Sequence, residues 1–583
     1  MLKSVRSVAA VALLIAAPLD ASPTPSGPGA QAYVQGRLAM SDARLDVAAS
    51  RFDEAMKLGT ADEQLQRRAL EVAMLAGDQR AAFRLATALN SAALASGAGT
   101  GSGSVSQSNA LIAMTAMVAA ATAQNWRAYG QARAGLVEPA RTATSTPVVG
   151  AILDAYGHAA RQAWDAALQA LALPAETAVA RSYIDEHRAH ILGMARRWPE
   201  AADAYGALVA GEGASVPRLR LAAAAAGLQA GQTNQSYRDK AIAVLGGGAS
   251  EDPVLQQARA KLAADPTQDG SNLGGLVDSS GDGLALLFMR LASDLGRDRV
   301  ATAAMSFARL ATFLAPGMQE SWLVAADTLA RQDRPLLALA ALEKARNIEP
   351  YSGQIIARKA AILVEEKRWD EARALILPLT ARRNARREDW VRLADLERRQ
   401  GEFSASAASM KQAIVLVPPE KTAELAQYRF MRGAALEQAG EWPGAEIELR
   451  QAVALQPDNP IYLNYLGYSL LDRRLTLSEA NVWIAKAFAL APDNGAIIDS
   501  MGWAAFVARD YAEAVRLLDM ARAAEPADAA VADHLGDALW MAGRRIEARH
   551  AWAAAAGLEP DAKLAEKLDR KLDFGLDVAL ARR

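Results

Sequence analysis

Cysteine is absent from all 583 residues. That excludes disulfides, thiolate metal sites, cysteine nucleophiles and a lipid attached through a cysteine thioether. Net charge is nearly absent too, at −2. A dedicated nucleic-acid binder carries a basic excess or a basic face, so no nucleic-acid partner is expected. Long hydrophobic runs are missing. The longest near the start, Val8 to Ala17, has 10 residues, where a membrane span needs about 20. Catalytic signatures are missing as well: there is no nucleophile elbow, no phosphate-binding glycine loop and no dinucleotide fingerprint. Histidine is scarce, at five residues. "HRAH" places His187 and His190 three apart, but no third ligand accompanies them, so neither a metal nor a cofactor is expected. "DSSGDG" lacks the spacing of a calcium loop and reads as linker. An apolar content of 51% is ordinary for a folded chain and argues against global disorder.

What is present begins with "MLKSVRSVAAVALLIAAPLDAS". Lys3 and Arg6 precede the apolar run, and small residues follow it at Ala17, Ala21 and Ser22. This is the three-part form of a secretory signal. We expect a signal peptide over 1–21, a Pro/Gly/Ser leader over 22–32, and a mature chain that is periplasmic or otherwise exported. An uncleaved anchor is the alternative for the first segment. Peripheral contact with an outer membrane is compatible with this reading.

The dominant feature is repetition. Pro316, Pro350, Asn384, Pro418, Pro457, Pro492, Pro526 and Pro560 form a column with a nearly constant step. Small residues keep step in a second column: Ala292, Ala326, Ala360, Ala394, Gly433, Gly467, Gly502 and Gly536. A third column reads Ala304, Ala338, Ala372, Ser406, Ala445, Ala480, Ala514 and Ala548. Extra residues enter only near "PPEKTAEL" and "RRLTLSE". Within each unit apolar residues recur at helical spacing, as in Val515, Leu518 and Ala521. Small residues let two helices approach closely where they cross, and a proline cannot continue a helix interior, so it marks a unit's end. One such unit cannot bury its own apolar face; neighbours must stack.

The period, about 34 positions, with stretches such as "YLGYSLL", "GEWPGAEIELRQAVALQP" and "DYAEAVRLLDMARAAEP", resembles the tetratricopeptide repeat family. The resemblance implies an all-α fold, a right-handed solenoid of stacked antiparallel helix pairs in two halves. We expect a divergent helical solenoid over 33–248, with units at Gly36, Trp126, Trp164 and Trp198. A linker follows over 249–283, then eight repeats over 284–560, and a capping helix with a tail over 561–583.

In that family the first helix of each unit lines the concave surface. Counting from the small column implies a groove lined by Asn464, Tyr465, Tyr468 and Asp472, then Asp499, Ser500, Trp503 and Phe506, then Asp533, His534, Asp537 and Trp540. Spacings of three and four keep each set on one face. Aromatics are enriched where partners bind, and the acids favour basic segments, extended or helical. The family's clamp for a chain-end carboxylate uses basic residues here, so that ligand is not implied. The alternative is that the aromatics pack between units and the acids are solvated. Arg382, Arg383, Arg386 and Arg387 form a candidate patch for an anionic partner, or a solvated turn.

The C-terminal third resembles bacterial cell-envelope adaptors of this family, which implies a non-enzymatic exported scaffold that binds protein partners and presents substrates to an envelope protease. Two alternatives stand beside it: a structural part of a polysaccharide-export or envelope-assembly machine, or an enzyme with its active site in the N-terminal half.

Overall fold

The computed structural model describes residues 29–576, apart from 43, 59–62, 96–106, 137–147, 174–176, 212–215, 247–251, 298–300, 346–350 and 384. The expected signal peptide, most of the leader, Pro350, Asn384 and the residues beyond 576 lie outside that set. Among the described residues every regular element is a helix. None is long and apolar enough to cross a membrane. The chain divides into two compact units, Met1–Glu366 and Lys367–Arg583.

The first unit opens with a series of helix pairs. Ala30–Ser41 packs on Leu45–Leu58, and Phe52 fills the space a side chain at Gly36 would need. Glu63–Ala76 pairs with Gln79–Ala95, Gln107–Thr122 with Trp126–Ala134, Val148–Ala159 with Trp164–Ala170, and Ala178–Met194 with Trp198–Ala210. Local sequence sets the helix starts. Asn125 and Thr177 each accept a hydrogen bond from the third residue on, Ala128 and Ala180, satisfying a first-turn amide. Pro217 begins the next helix, where its missing N–H costs nothing.

Two features depart from the sequence expectation. First, 249–283 is not a free linker. Asp252 caps a helix, Pro253–Ala264, and Leu255 is fully buried. The strap that follows buries Leu273 and Val277. Gly270 and Gly275 both have φ of +87°, and Gly275 lies so close to Leu221 and Ala222 that no side chain would fit. The glycines that look like flexibility are there for close approach.

Second, the hairpin Ser280–Arg297 and Ala301–Leu314, expected to open the second half, belongs to the core of the first. Helices Glu63–Ala76, Gln107–Thr122, Val148–Ala159 and Ala178–Met194 all pack against it. Leu284, Leu287, Phe288, Leu291, Phe307 and Leu310 are essentially inaccessible. Phe83 meets Phe313 edge-on at 5.6 Å, and Gln79 donates to the Phe313 carbonyl at 3.0 Å, across 234 residues of sequence. Arg290 pairs with Glu186 and lies 3.9 Å over the Tyr183 ring, while the Tyr183 hydroxyl donates to Asp294 at 2.6 Å. Four first helices of the N-terminal pairs, from Glu63 to Met194, are thus covered by the chain's own hairpin.

The second unit is a regular array, and its division from the first falls inside the repeat that starts at Ser352. Helices Arg387–Arg399 and Phe403–Val415, Thr422–Gln438 and Trp442–Leu455, Pro460–Asp472 and Leu477–Leu490, Gly495–Val507 and Tyr511–Ala524, and Ala529–Met541 and Arg545–Ala556 pack as pairs. The small column marks each crossing. A methyl added at Gly433, Gly467 or Gly502 would come within 2.8, 2.8 or 2.7 Å of Leu449, Ile484 or Leu518. The alanine column, Ala445, Ala480, Ala514 and Ala548, is fully buried. One periodic feature was not read from the sequence: a left-handed residue at each turn from first to second helix. It is Asp333, Lys367, Gly401, Gly440, Arg474, Arg509 and Gly543, with φ between +54° and +83°. The last helix, Ala562–Phe574, is capped by Asp561 and stacks on Arg545–Ala556.

Candidate functional site

The first helices of the last three repeats carry the residues singled out by the spacing. Five of the twelve, Asp499, Ser500, Asp533, Asp537 and Trp540, are buried and not open to a partner. Asp533 and Asp537, each 5% exposed, face the final helix. Lys571 reaches between them, 2.6 Å from one Asp533 oxygen and 2.7 Å from one Asp537 oxygen. The indole N–H of Trp552 donates to Asp537 at 3.0 Å. Burial pushes the Asp537 carboxyl up, to about 6, against the pull of Lys571. Trp540, expected in the groove, is core: Gly575 comes so close to its ring that no side chain would fit there, Trp552 packs at 5.3 Å, and Arg545 lies 5.0 Å over it. The two acids find Lys571 one repeat further on, on the final helix, while Trp540 packs on Trp552 of its own repeat.

Asp499 shows the same arrangement one repeat earlier. It is 7% exposed and accepts from Nδ1 of His534 at 2.9 Å. Burial works against the imidazolium, yet Asp499, with Asp533 and Asp537 behind it, holds His534 above the ordinary histidine value. Ser500 is buried and turns back to the Ala496 carbonyl at 3.0 Å.

What remains half-exposed is aromatic. Trp503 stacks on Phe506 at 4.6 Å and on His534 at 4.3 Å, and Phe506 leans on Tyr511 at 5.7 Å. Tyr468 lies 6.5 Å from His534. Its phenol is pushed up by burial first, then by the carboxylates of Asp499, Asp472, Asp533 and Glu437. Asp472 is exposed at the end of its helix. Tyr465 meets Phe430 edge-on at 5.1 Å. The Asn464 side-chain oxygen is closed off from solvent with no hydrogen-bond partner. Glu437 is held by Arg473 at 2.6 Å, and that guanidinium lies 4.4 Å over Trp442.

The arginine run does not act as one patch. Arg387 is tied to Glu424 at 2.6 Å and Arg386 lies 3.7 Å from Asp389 at the start of its helix. Arg382 and Arg383 are exposed in the turn before it.

The histidine pair of the first unit is buried structure. Nδ1 of His187 shares a hydrogen bond with the Tyr156 hydroxyl at 2.8 Å, and Nδ1 of His190 does the same with Tyr205 at 2.8 Å. Burial drives His187 down, to about 3. Glu186 is held at about 2: burial opposes its charge, but the hydrogen bond to His190 and the guanidinium of Arg290 outweigh it. The sequence showed the pair but not its tyrosine partners, because each tyrosine comes from a different helix.

No family model matches the chain. A stretch of 108 residues is 41% identical to a TPR repeat-containing protein of Pseudomonas aeruginosa, covering 18% of this chain and 18% of that one. A stretch of 111 residues is 31% identical to the protein O-mannosyl-transferase Tmtc1 of Drosophila melanogaster, covering 18% of this chain and 13% of the transferase. Each match therefore spans less than a fifth of the relative's length. Among solved structures, a chain of the APC/C Cut9–Hcn1 hetero-tetramer aligns with 14% identity and a TM-score of 0.32, over 95% of this chain and 92% of its own. A tetratricopeptide repeat protein of Parabacteroides merdae aligns with 12% identity and a TM-score of 0.37, over 44% of this chain and 97% of its own.

Proposed function

We propose that the chain, whose stacked helix pairs and period of about 34 residues resemble tetratricopeptide repeats, is an exported scaffold of the cell envelope, holding protein partners against the first helices of its second unit. The chemistry is recognition. One observation carries the choice of face. In the first unit four equivalent helices, between Glu63 and Met194, are covered by the helices Ser280–Arg297 and Ala301–Leu314, whereas in the second Tyr465, Tyr468, Trp503 and Phe506 stay half-exposed. Rigid aromatic side chains with a polar edge make strong anchors for a partner. The surrounding carboxylates favour a partner with basic residues. Export and an envelope setting are supported by the order of charged, apolar and small residues from Met1 to Ser22. Presentation of substrates to an envelope protease is supported by the resemblance of the C-terminal third to adaptors of that kind.

A photo-crosslinking residue placed at Phe506 in cells, with a second at exposed Ile546 on the neighbouring second helix, tests the face. Specific adducts from position 506 and none from 546 are expected. Equal labelling, or none, refutes the assignment. Cell fractionation of the tagged protein tests export, and retention in the cytoplasm refutes it.

A further inference from the structure

Among the described residues two helices carry a cation gripped in the same manner, and a third arrangement of the kind, around Tyr468, has only His534 in the place of the cation. In the first unit, Arg290 arrives on helix Ser280–Arg297. It pairs with Glu186 and covers the Tyr183 ring at 3.9 Å, while Leu284, Leu287, Phe288 and Leu291 of the same helix bury their side chains. In the second unit, Lys571 arrives on helix Ala562–Phe574. It sits between Asp533 and Asp537 with the Trp552 ring 5.9 Å away, and Leu568 of the same helix is fully buried. Both cases share three parts: a carboxylate, an aromatic ring, and a cation carried on an amphipathic helix laid against first helices. A cation desolvated between a ring and a carboxylate gains from both.

The same parts meet around Tyr468. Its ring neighbours His534, which stacks on Trp503. Asp499 is within hydrogen-bond distance of His534, and Asp472 stands exposed on the helix that carries Tyr468. The charges divide unevenly. Glu437 is met by Arg473, and Asp533 and Asp537 by Lys571. Asp499 is met by His534, a residue that carries charge only when protonated. Asp472 adds a further negative charge at the open edge. A surface with this excess attracts positive charge and selects for it.

We propose that the surface around Tyr468, with Asp472 on its own helix and the Asp499–His534 pair and Trp503 beyond it, seats one lysine or arginine side chain carried on an amphipathic helix of a protein partner. This rests on the protein-binding reading of the same face. The two internal helices supply the pattern: a basic residue one or two turns along from buried leucines.

The test uses the full chain and a phage-displayed library of helical peptides. Peptides selected on the wild-type protein are synthesised with their basic position as lysine, arginine, norleucine or glutamate, and their affinities are measured by fluorescence anisotropy. Lysine and arginine peptides should bind about tenfold or more tightly than the norleucine peptide. That preference should vanish in Asp472→Asn combined with Tyr468→Leu. If Tyr468→Leu lowers the melting temperature, the charge reversal Asp472→Lys carries the test alone. Peptides that need Trp503 yet bind equally with lysine or norleucine overturn the seat and leave the protein-binding reading standing. A basic preference that persists in the Asp472 variants also overturns the seat. A library from which nothing is retained overturns both.

Discussion

Replacing Lys571 with methionine isolates the lock that closes the second unit. The ammonium is bonded to Asp533 and Asp537, and all three side chains are almost wholly buried. Methionine keeps the length and apolar stem but leaves two carboxylates facing each other in a dry interface. Breaking a buried pair by removing one partner costs about 3–5 kcal/mol. Leu568 and Leu576, both buried, with Leu564 and Leu572 packed beside them, also hold this segment. The loss falls on the contacts of the last helix alone, so Ala562–Phe574 should open before the rest of the array melts. Because burial already raises Asp537 toward about 6, a proton can replace the lost cation, so the penalty should be smaller at pH 5 than at pH 8. Urea unfolding of Lys571→Met gives the total, and amide hydrogen exchange over 562–574 locates it. Adding Asp533→Asn and Asp537→Asn should recover a large part of the loss. A Lys571→Met protein within about 0.5 kcal/mol of wild type at pH 8, with its last helix still protected, would refute the reasoning.

Trp540→Ala and Trp503→Ala should separate core from surface: the first should cost about 3–5 kcal/mol in denaturant unfolding, the second about 1 kcal/mol while weakening peptide capture. Arg509→Gly should stabilise the second unit by about 0.5–1 kcal/mol, since a φ of +65° strains any residue with a Cβ; an unchanged urea midpoint would count against the strain. The units should answer acid differently. His187 is buried neutral with its value lowered to about 3, so the unfolded chain takes up the proton first. The stability it contributes is present above about pH 6.5 and declines on the way down to pH 3, by up to about 1.4 kcal/mol per pH unit. His534 is raised, so its contribution is complete below about pH 6.5 and fades as pH rises through its folded value. Following His187→Gln and His534→Gln in pH-dependent melts checks both signs.

The helix-pair fold was legible because its cause is local and repeated. A glycine or alanine at each crossing and an alanine in each second helix are visible in one dimension. The fate of Asp499, Asp533 and Asp537 was not, because their partners His534 and Lys571 stand a full repeat further on and nothing in the period says which helix turns them inward. The left-handed turn column stayed hidden behind Asp333, Lys367, Arg474 and Arg509, where sequence gives no glycine to flag it. The fold-back of 280–314 was invisible for the opposite reason. Its letters fit the period well, and a period reports neighbours in sequence, not the helices between Glu63 and Met194 that it covers.

That covering changes how the first unit comes into being. In an open stack each repeat leans only on the one before and after, so stability accrues step by step from either end. Here the earliest helices wait for a piece made much later in synthesis, and contacts of such range are slow to close. A nascent chain stopped short of residue 314 would leave a line of bare leucines and alanines without their filling, so truncation from the C-terminal side should abolish this unit abruptly at that point, not erode it one repeat at a time.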